Sequence, residues 1–319
     1  MKAIVCRSYG SPDVLKYEEI EKPTPGDNEV LIKVRAASVN PVDRLFRAPH
    51  VLRLMTGLRK PKNPRIGVDV AGQVETVGRN ITQFKPGDEV FGACKGAFAE
   101  YACVSESKLT VKPDKVTFEQ AASVPVAALT ALQGLRNKGQ IRPGQKVLIN
   151  GAAGGVGTFA VQIARSFGAE VTGVCSTRNV EMVRSIGADR VIDYTQEDFT
   201  KGTQRYDLIF DLVANHSLLA CRRLLNPSGI CVLAGGKNPW LFLTRAFLSP
   251  VLSRFVSQNF VVFIAKLNKE DLTIMGDLMA AGKVTPVIDR RYRLSEVPEA
   301  IRYLEEGHAR GKVVITLGT

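Results

Sequence analysis

The stretch "VLINGAAGGVGTFAVQIARSFG", Val147 to Gly168, sets an apolar strand-like run, a glycine-rich loop and a helix-like run in direct succession. The helical part places Val156, Phe159, Ala160, Ile163, Ala164 and Phe167 on one stripe, as a helix packed on a sheet requires. A glycine-rich turn at this junction lets backbone approach a pyrophosphate, whose charge then meets the free N–H groups and positive dipole end of the helix. Gly151, Gly154, Gly155 and Gly157 suit that geometry. Small residues here could also serve only close strand–helix packing. The context favours dinucleotide binding, because the loop follows a strand, opens an amphipathic helix and begins a run of strand–helix units.

Downstream, "VTGVC" at 171–175, "RVIDY" at 190–194, "YDLIFDLV" at 206–213, "GICVLAG" at 229–235 and "FVVFIA" at 260–265 alternate with helical patterns. Such alternation predicts a parallel sheet covered on both faces. The end of the second strand selects the dinucleotide. NAD is normally held there by an Asp or Glu on the adenosine ribose, whereas "GVCSTRNV" offers Ser176, Thr177 and Arg178 and no acid. A guanidinium and hydroxyls suit a 2′-phosphate, which favours NADPH. The alternative is that Arg178 is an ordinary surface residue.

Before about residue 120 the texture changes to short β-rich runs, "EVLIKVRAASV", "GVDVAGQVETVG" and "DEVFGA", separated by Pro/Gly turns. Near the other end, "RYRLSEVPEAIRYLEEGHARGKVVITL" predicts a helix with Ser295 as N-cap and then a strand that rejoins the β-rich domain. The expected division is a discontinuous β-rich domain, 1–122 with 266–319, and an α/β domain at 123–265. No internal repeat or low-complexity tract interrupts this pattern.

The 319 residues, 45% of them hydrophobic, suffice for one large or two ordinary domains. A net charge of +12 suits an anionic partner, but the basic residues are dispersed and no basic run with interleaved aromatics forms a nucleic-acid face. Six scattered cysteines without a CxxC pair read as reduced thiols, and cytoplasm is the default compartment, with an organelle reached through a lost transit peptide as the alternative. There is no GxSxG, and only three histidines are present, so Ser/His/Asp and Cys/His catalysis lack support.

Taken together, "SYGSPDVLKYEE", "EVLIKVRAASVNPVDRLFR", "PRIGVDVAGQVETVG", "KPGDEVFG", "AASVPVAALTALQGL", "GAAGGVGTFAVQIA" and "GHARGKVVI" resemble the medium-chain dehydrogenase/reductase superfamily, in its zinc-independent quinone oxidoreductase-like branch. The resemblance spans essentially the whole chain. It implies an α/β protein with a GroES-like β-rich domain and a Rossmann domain, cofactor and substrate lying in the cleft between them. By motif position it implies Ala153, Gly154, Gly155 and Val156 at the pyrophosphate, and Ser176, Arg178 and Tyr194 around the adenosine phosphate. It brings His308, Ala309 and Arg310 to the cofactor from the C-terminal segment, and Thr130, Val262 and Phe263 to the nicotinamide side.

Zinc alcohol dehydrogenases of the same superfamily carry a Cys and a "GHE" turn where this chain has Asn40 and Val68-Asp69. An amide and a valine cannot replace thiolate and imidazole, so no metal is expected. Without zinc, an enone or quinone is the better hydride acceptor, since negative charge growing on a carbonyl oxygen can be met by hydrogen-bond donors. The Asn40 amide is one such donor, with capping of the turn before Pro41 as its other role. Relatives reading "NPVETY" offer a Tyr as proton donor where this chain has Leu45; the resemblance puts the turn of Tyr9 near the cleft as a substitute, against a surface or packing role for that Tyr, while Asp43 reads as structural and solvent is the other proton source.

The expected function is therefore an NADPH-dependent, zinc-independent reductase of α,β-unsaturated carbonyls or quinones, acting as monomer or homodimer. The competing readings are a 2-enoyl thioester reductase and a noncatalytic NADPH-binding structural or regulatory protein. The stretch at 238–258, bulky and apolar with interspersed Arg and an expected break at Pro250, reads by default as ordinary packed structure, with a substrate lid, a peripheral membrane contact or a dimer contact as the alternatives.

Overall fold

A computed structural model describes residues 1–43, 60–236 and 239–318. The strands are β1 (Lys2–Cys6), β2 (Leu15–Glu19), β3 (Glu29–Val39), β4 (Asp69–Val77), β5 (Glu89–Ala93), β6 (Tyr101–Ser105), β7 (Leu109–Val111), β8 (Lys146–Asn150), β9 (Glu170–Cys175), β10 (Arg190–Asp193), β11 (Tyr206–Asp211), β12 (Leu225–Leu233), β13 (Asn259–Val262), β14 (Ile288–Arg293) and β15 (Lys312–Thr316). The α-helices are α1 (Phe118–Ala122), α2 (Pro125–Gln133), α3 (Gly155–Ser166), α4 (Val180–Ser185), α5 (Leu218–Leu224), α6 (Pro239–Phe255), α7 (Lys269–Ala280) and α8 (Val297–Glu306). The chain divides into two compact units: residues 1–127, 267–282 and 286–319, and residues 128–266 with 283–285.

In the first unit β3 is the organising strand. It pairs antiparallel with β4, β15 and β6, within a seven-stranded sheet ordered β14-β15-β3-β4-β5-β7, the seventh strand, β6, lying off that path on β3. The C-terminal strand therefore does rejoin the β-rich unit. The core gathers Ile4, Ile32, Val70, Phe98 and Val313 with Val297 and Ile301 of α8. Ser295 is not the cap of α8: residues Leu294–Glu296 form a 3₁₀ turn, and the helix starts after Glu296 with Pro298 in its first turn. The turn's own hydrogen bonds and the proline preset the entry, leaving no cap role for the serine.

The second unit is a six-stranded parallel sheet ordered β10-β9-β8-β11-β12-β13. From β8 the chain builds outward to β9 and β10, then returns to place β11 on the other side. The strand order thus reverses between β8 and β11, where open α/β sheets bind ligands at their carboxyl ends. On α3, Phe159, Ala160, Ile163 and Ala164 are fully buried, as the stripe required.

Helix α6 runs through Pro250 without the expected break. Proline removes one backbone donor, but the inward face holds the helix: Leu252 packs on the core, and Arg245 is buried against Asp211. Leu45 and Asn238 lie outside the described residues.

Candidate functional site

The glycine loop leaves β8 at Asn150. Gly151 takes φ +91°, a conformation that disfavours any side chain, and its N–H and that of Ala152 donate to Val174 O on the neighbouring strand. A Cβ at Gly157 would lie 2.0 Å from Gly151 O, so glycine is required there for the helix to pass the turn. Gly154 is the N-cap of α3 and makes no side-chain cap bond. The N–H groups of the first turn, at Gly155, Val156 and Gly157, consequently have no capping side chain from Gly154, the arrangement that receives an anion.

Beneath the loop lies a polar buttress that sequence reasoning missed. Asn150 Nδ2 donates to Asp211 Oδ1 (2.8 Å) and Asn215 Oδ1 (3.0 Å), and Asp211 Oδ1 also receives Ala214 N–H (2.9 Å). Arg245 pairs with Asp211 Oδ2 at 3.5 Å and donates to His216 O. The signal was present as a polar residue ending each of two adjacent apolar strands, "VLIN" and "LIFD".

At the end of β9, Ser176 is half-buried, Thr177 and Arg178 are exposed, and Tyr194 is 59% exposed beyond β10. Parallel pairing sets Asp193 beside Cys175, bringing an acid to this corner from the next strand. That carboxylate is already engaged. Hydrogen bonds from Thr177 and Thr195 hold its pKa below the usual carboxylate value, with Thr195 Oγ1 2.8 Å from Oδ1. Ser176 Oγ accepts from Asn179 Nδ2 at 3.1 Å.

Ala153 is buried in the loop, while Thr130 on α2 and Val262 and Phe263 at the end of β13 are half-buried. All of these belong to the second unit. His308, Ala309 and Arg310 belong to the first, in the turn after α8, where Arg310 N–H donates to Asp289 Oδ2 at 2.9 Å. Tyr9, half-buried between β1 and β2, also lies in the first unit.

Within the first unit, strand register builds a buried polar cluster. Antiparallel pairing sets Ser38 of β3 opposite Asp69 of β4, and β15 enters beside them at Lys312. Asp69 Oδ2 accepts from Ser38 Oγ (2.8 Å), Asn40 Nδ2 (2.8 Å) and Lys312 Nζ (3.3 Å), while Oδ1 accepts Val126 N–H (2.9 Å). Lys312 Nζ also donates to Asn40 Oδ1 at 2.6 Å. Asn40 is 2% exposed with both ends of its amide committed inside the protein. To meet a substrate carbonyl this amide would have to give up its bond to the buried Asp69 carboxylate.

Asp43 completes the cluster. Its Oδ2 accepts Asn40 N–H at 2.7 Å, and its buried Oδ1 has no partner among the described residues. Burial pushes this carboxyl up to about 8; the Asn40 hydrogen bond and Lys312 oppose the shift, and Asp69 adds to it. Burial also lowers the Lys312 pKa, and it raises that of nearby Cys94 to about 12. Among the described residues, no three His, Cys, Asp or Glu side chains are gathered as a metal requires. An amide, a carboxylate and an ammonium do not fit zinc, since the ammonium takes the place of a cation beside Asp69.

Residues 26–114 match the alcohol dehydrogenase GroES-like domain family, and residues 186–315 the family described as zinc-binding dehydrogenase. The chain is 35% identical to a mitochondrial NAD(P)H oxidoreductase of Mus musculus, over 99% of this chain and 89% of that one. It is 36% identical to a chloroplastic NADPH-dependent alkenal/one oxidoreductase of Arabidopsis thaliana, over 99% and 79%. The quinone oxidoreductase of Coxiella burnetii superposes with a TM-score of 0.88 at 33% identity, covering 100% of this chain and 99% of the other.

The chain therefore belongs to the medium-chain dehydrogenase/reductase superfamily, in its quinone oxidoreductase-like branch. It is an oxidoreductase that uses a nicotinamide cofactor and acts on a small molecule. The organellar designations of both relatives give the cytoplasmic default no support.

Proposed function

We propose that the protein is a zinc-independent, NADPH-dependent reductase of α,β-unsaturated carbonyls or quinones. The observation that carries this reading is the Asn40–Asp69–Lys312 cluster. A chemistry that needs a Lewis acid finds no ligand set among the described residues, whereas an activated alkene or quinone needs only hydride and a proton.

When bound, the nicotinamide supplies the hydride. The chain's own residues hold the cofactor: the uncapped N–H groups of α3 take the pyrophosphate, Ala153 and Val156 flank it, and Ser176 and Arg178 receive the 2′-phosphate beside Tyr194. The Thr177 and Thr195 bonds to Asp193 support this assignment, because a carboxylate saturated by hydroxyls competes less for a ribose. His308 to Arg310, Thr130, Val262 and Phe263 are assigned to the remaining cofactor contacts by motif position. Asn40 acts as a positioning group that fixes Lys312 and Asp69, and Tyr9 is the proposed proton donor.

The experiment is an NADPH-oxidation screen over enones, quinones and enoyl thioesters. Turnover of enones or quinones supports the proposal. Turnover of thioesters alone, or of nothing with NADPH bound, would replace it with the thioester reductase or the noncatalytic reading.

A further inference from the structure

From Leu212 to Lys266 the sequence contains no Asp or Glu, yet it contains Arg222, Arg223, Lys237, Arg245, Arg254 and Lys266. The same tract supplies five exposed large apolar side chains: Leu219, Phe247, Leu248, Phe255 and Ile264. Phe247 and Phe255 are 77% and 82% exposed. On α6, Phe247, Leu248, Arg254 and Phe255 fall within an arc of about 120°, counted at about 100° per residue, and Arg245 and Ser249 are buried on the other side.

Gln258, which follows α6 in sequence, lines a groove of about 800 Å³ together with Arg205, Arg222, Arg223, Leu219 and Asn226. No acidic residue lines it. Arg205, Asn226 and Gln258 sit where β11, β12 and β13 begin, at the opposite end of the sheet from the glycine loop. None of the three arginines forms an ion pair among the described residues.

We propose that this face of the second unit docks on a bilayer surface containing anionic phospholipid, with the arginines of the groove at the headgroups and the apolar side chains of α6 and Leu219 at the acyl boundary. Stable attachment without a spanning segment needs both signals, buried apolar area and basic charge, and both occur in this one tract. No helix among the described residues is long and apolar enough to cross a membrane. A second copy of the chain fits less well. A two-fold contact would set the acid-free tract against itself, arginine facing arginine, with no carboxylate in the tract to answer it. A soluble phosphate would leave the exposed phenylalanines unused.

The inference stands apart from the reductase reading, because its test reads attachment and not turnover. The full chain is sedimented with vesicles of phosphatidylcholine alone and of phosphatidylcholine mixed with phosphatidylglycerol, with and without added salt. Retention by the mixed vesicles only, weakened by salt, is expected. Arg222→Gln with Arg223→Gln should lower that retention on the order of tenfold or more. Phe247→Ser with Phe255→Ser should lower it at unchanged NADPH affinity. Equal retention by both vesicle types, or none, overturns the proposal. So does a dimer in solution that Phe255→Ser dissociates while vesicles retain nothing, or binding of glycerol phosphate without vesicle retention.

Discussion

Lys312 Nζ donates to Asn40 Oδ1 at 2.6 Å, joining residues far apart in sequence inside the core of the β-rich unit. The same ammonium lies 3.3 Å from Asp69 Oδ2, and Asn40 Nδ2 reaches that oxygen from the other side. Three side chains thus form a closed triangle, and removing one leaves the other two short of partners.

Asn40→Ala should accordingly destabilise the protein by about 2–4 kcal/mol, because Asp69 loses a donor and Lys312 an acceptor in a site closed to water. Chemical denaturation measures it. Activity per folded molecule should be largely retained. A large fall in kcat with unchanged stability would return the Asn40 amide to the reacting centre.

Asp43 gives a pH signature. Its folded pKa, about 8, lies above the ordinary carboxyl value of 3.8, so between those values the folded state holds a proton that the unfolded state has released. Stability contributed by the protonated group is fully present below pH 4 and is lost as pH rises toward 8. Asp43→Asn, which copies the protonated form, should flatten that decline and be the more stable protein near pH 8. Parallel stability–pH curves for variant and wild type would contradict this.

The loop glycines should separate by role. Gly157→Ala drives a Cβ to 2.0 Å from the Gly151 carbonyl oxygen and should cost about 1–3 kcal/mol or more in folding stability. At Gly154 the nearest atom to an added Cβ is Gly151 O at 3.5 Å, and φ is −81°, so Gly154→Ala should keep the melting temperature yet weaken NADPH. Titration of each variant with NADPH, beside its melting curve, checks both.

Arg178→Ala should weaken NADPH by about 1–3 kcal/mol and leave NADH nearly unchanged, if the guanidinium pairs with the 2′-phosphate. Equal losses for both cofactors would assign that corner to the Asp193–Thr195–Thr177 network instead.

The parallel sheet and its glycine turn were legible because periodicity, loop chemistry and element order agree over residues 147–265. The strand that returns from the C-terminus was legible too, as an apolar run in "GKVVITL". Pairing across strands was not. Nothing local in "SVNPVD" reveals that register sets Ser38 opposite Asp69 or that Lys312 arrives beside Asn40, so an amide bound up in a core cluster read as a free donor. Asp193 was missed for the same reason: the search for an acid followed one strand, and the acid comes from its neighbour. The break expected at Pro250 failed because tertiary anchoring through Arg245 and Leu252 outweighs one missing backbone donor.

The most direct measurement is NADPH oxidation by chelator-treated protein, with an enone and a quinone as acceptors and metal content determined on the same sample. Steady turnover of at least one acceptor with far less than one zinc per chain is expected. Turnover that requires stoichiometric zinc, or NADPH bound without oxidation against every activated alkene and quinone offered, would contradict it.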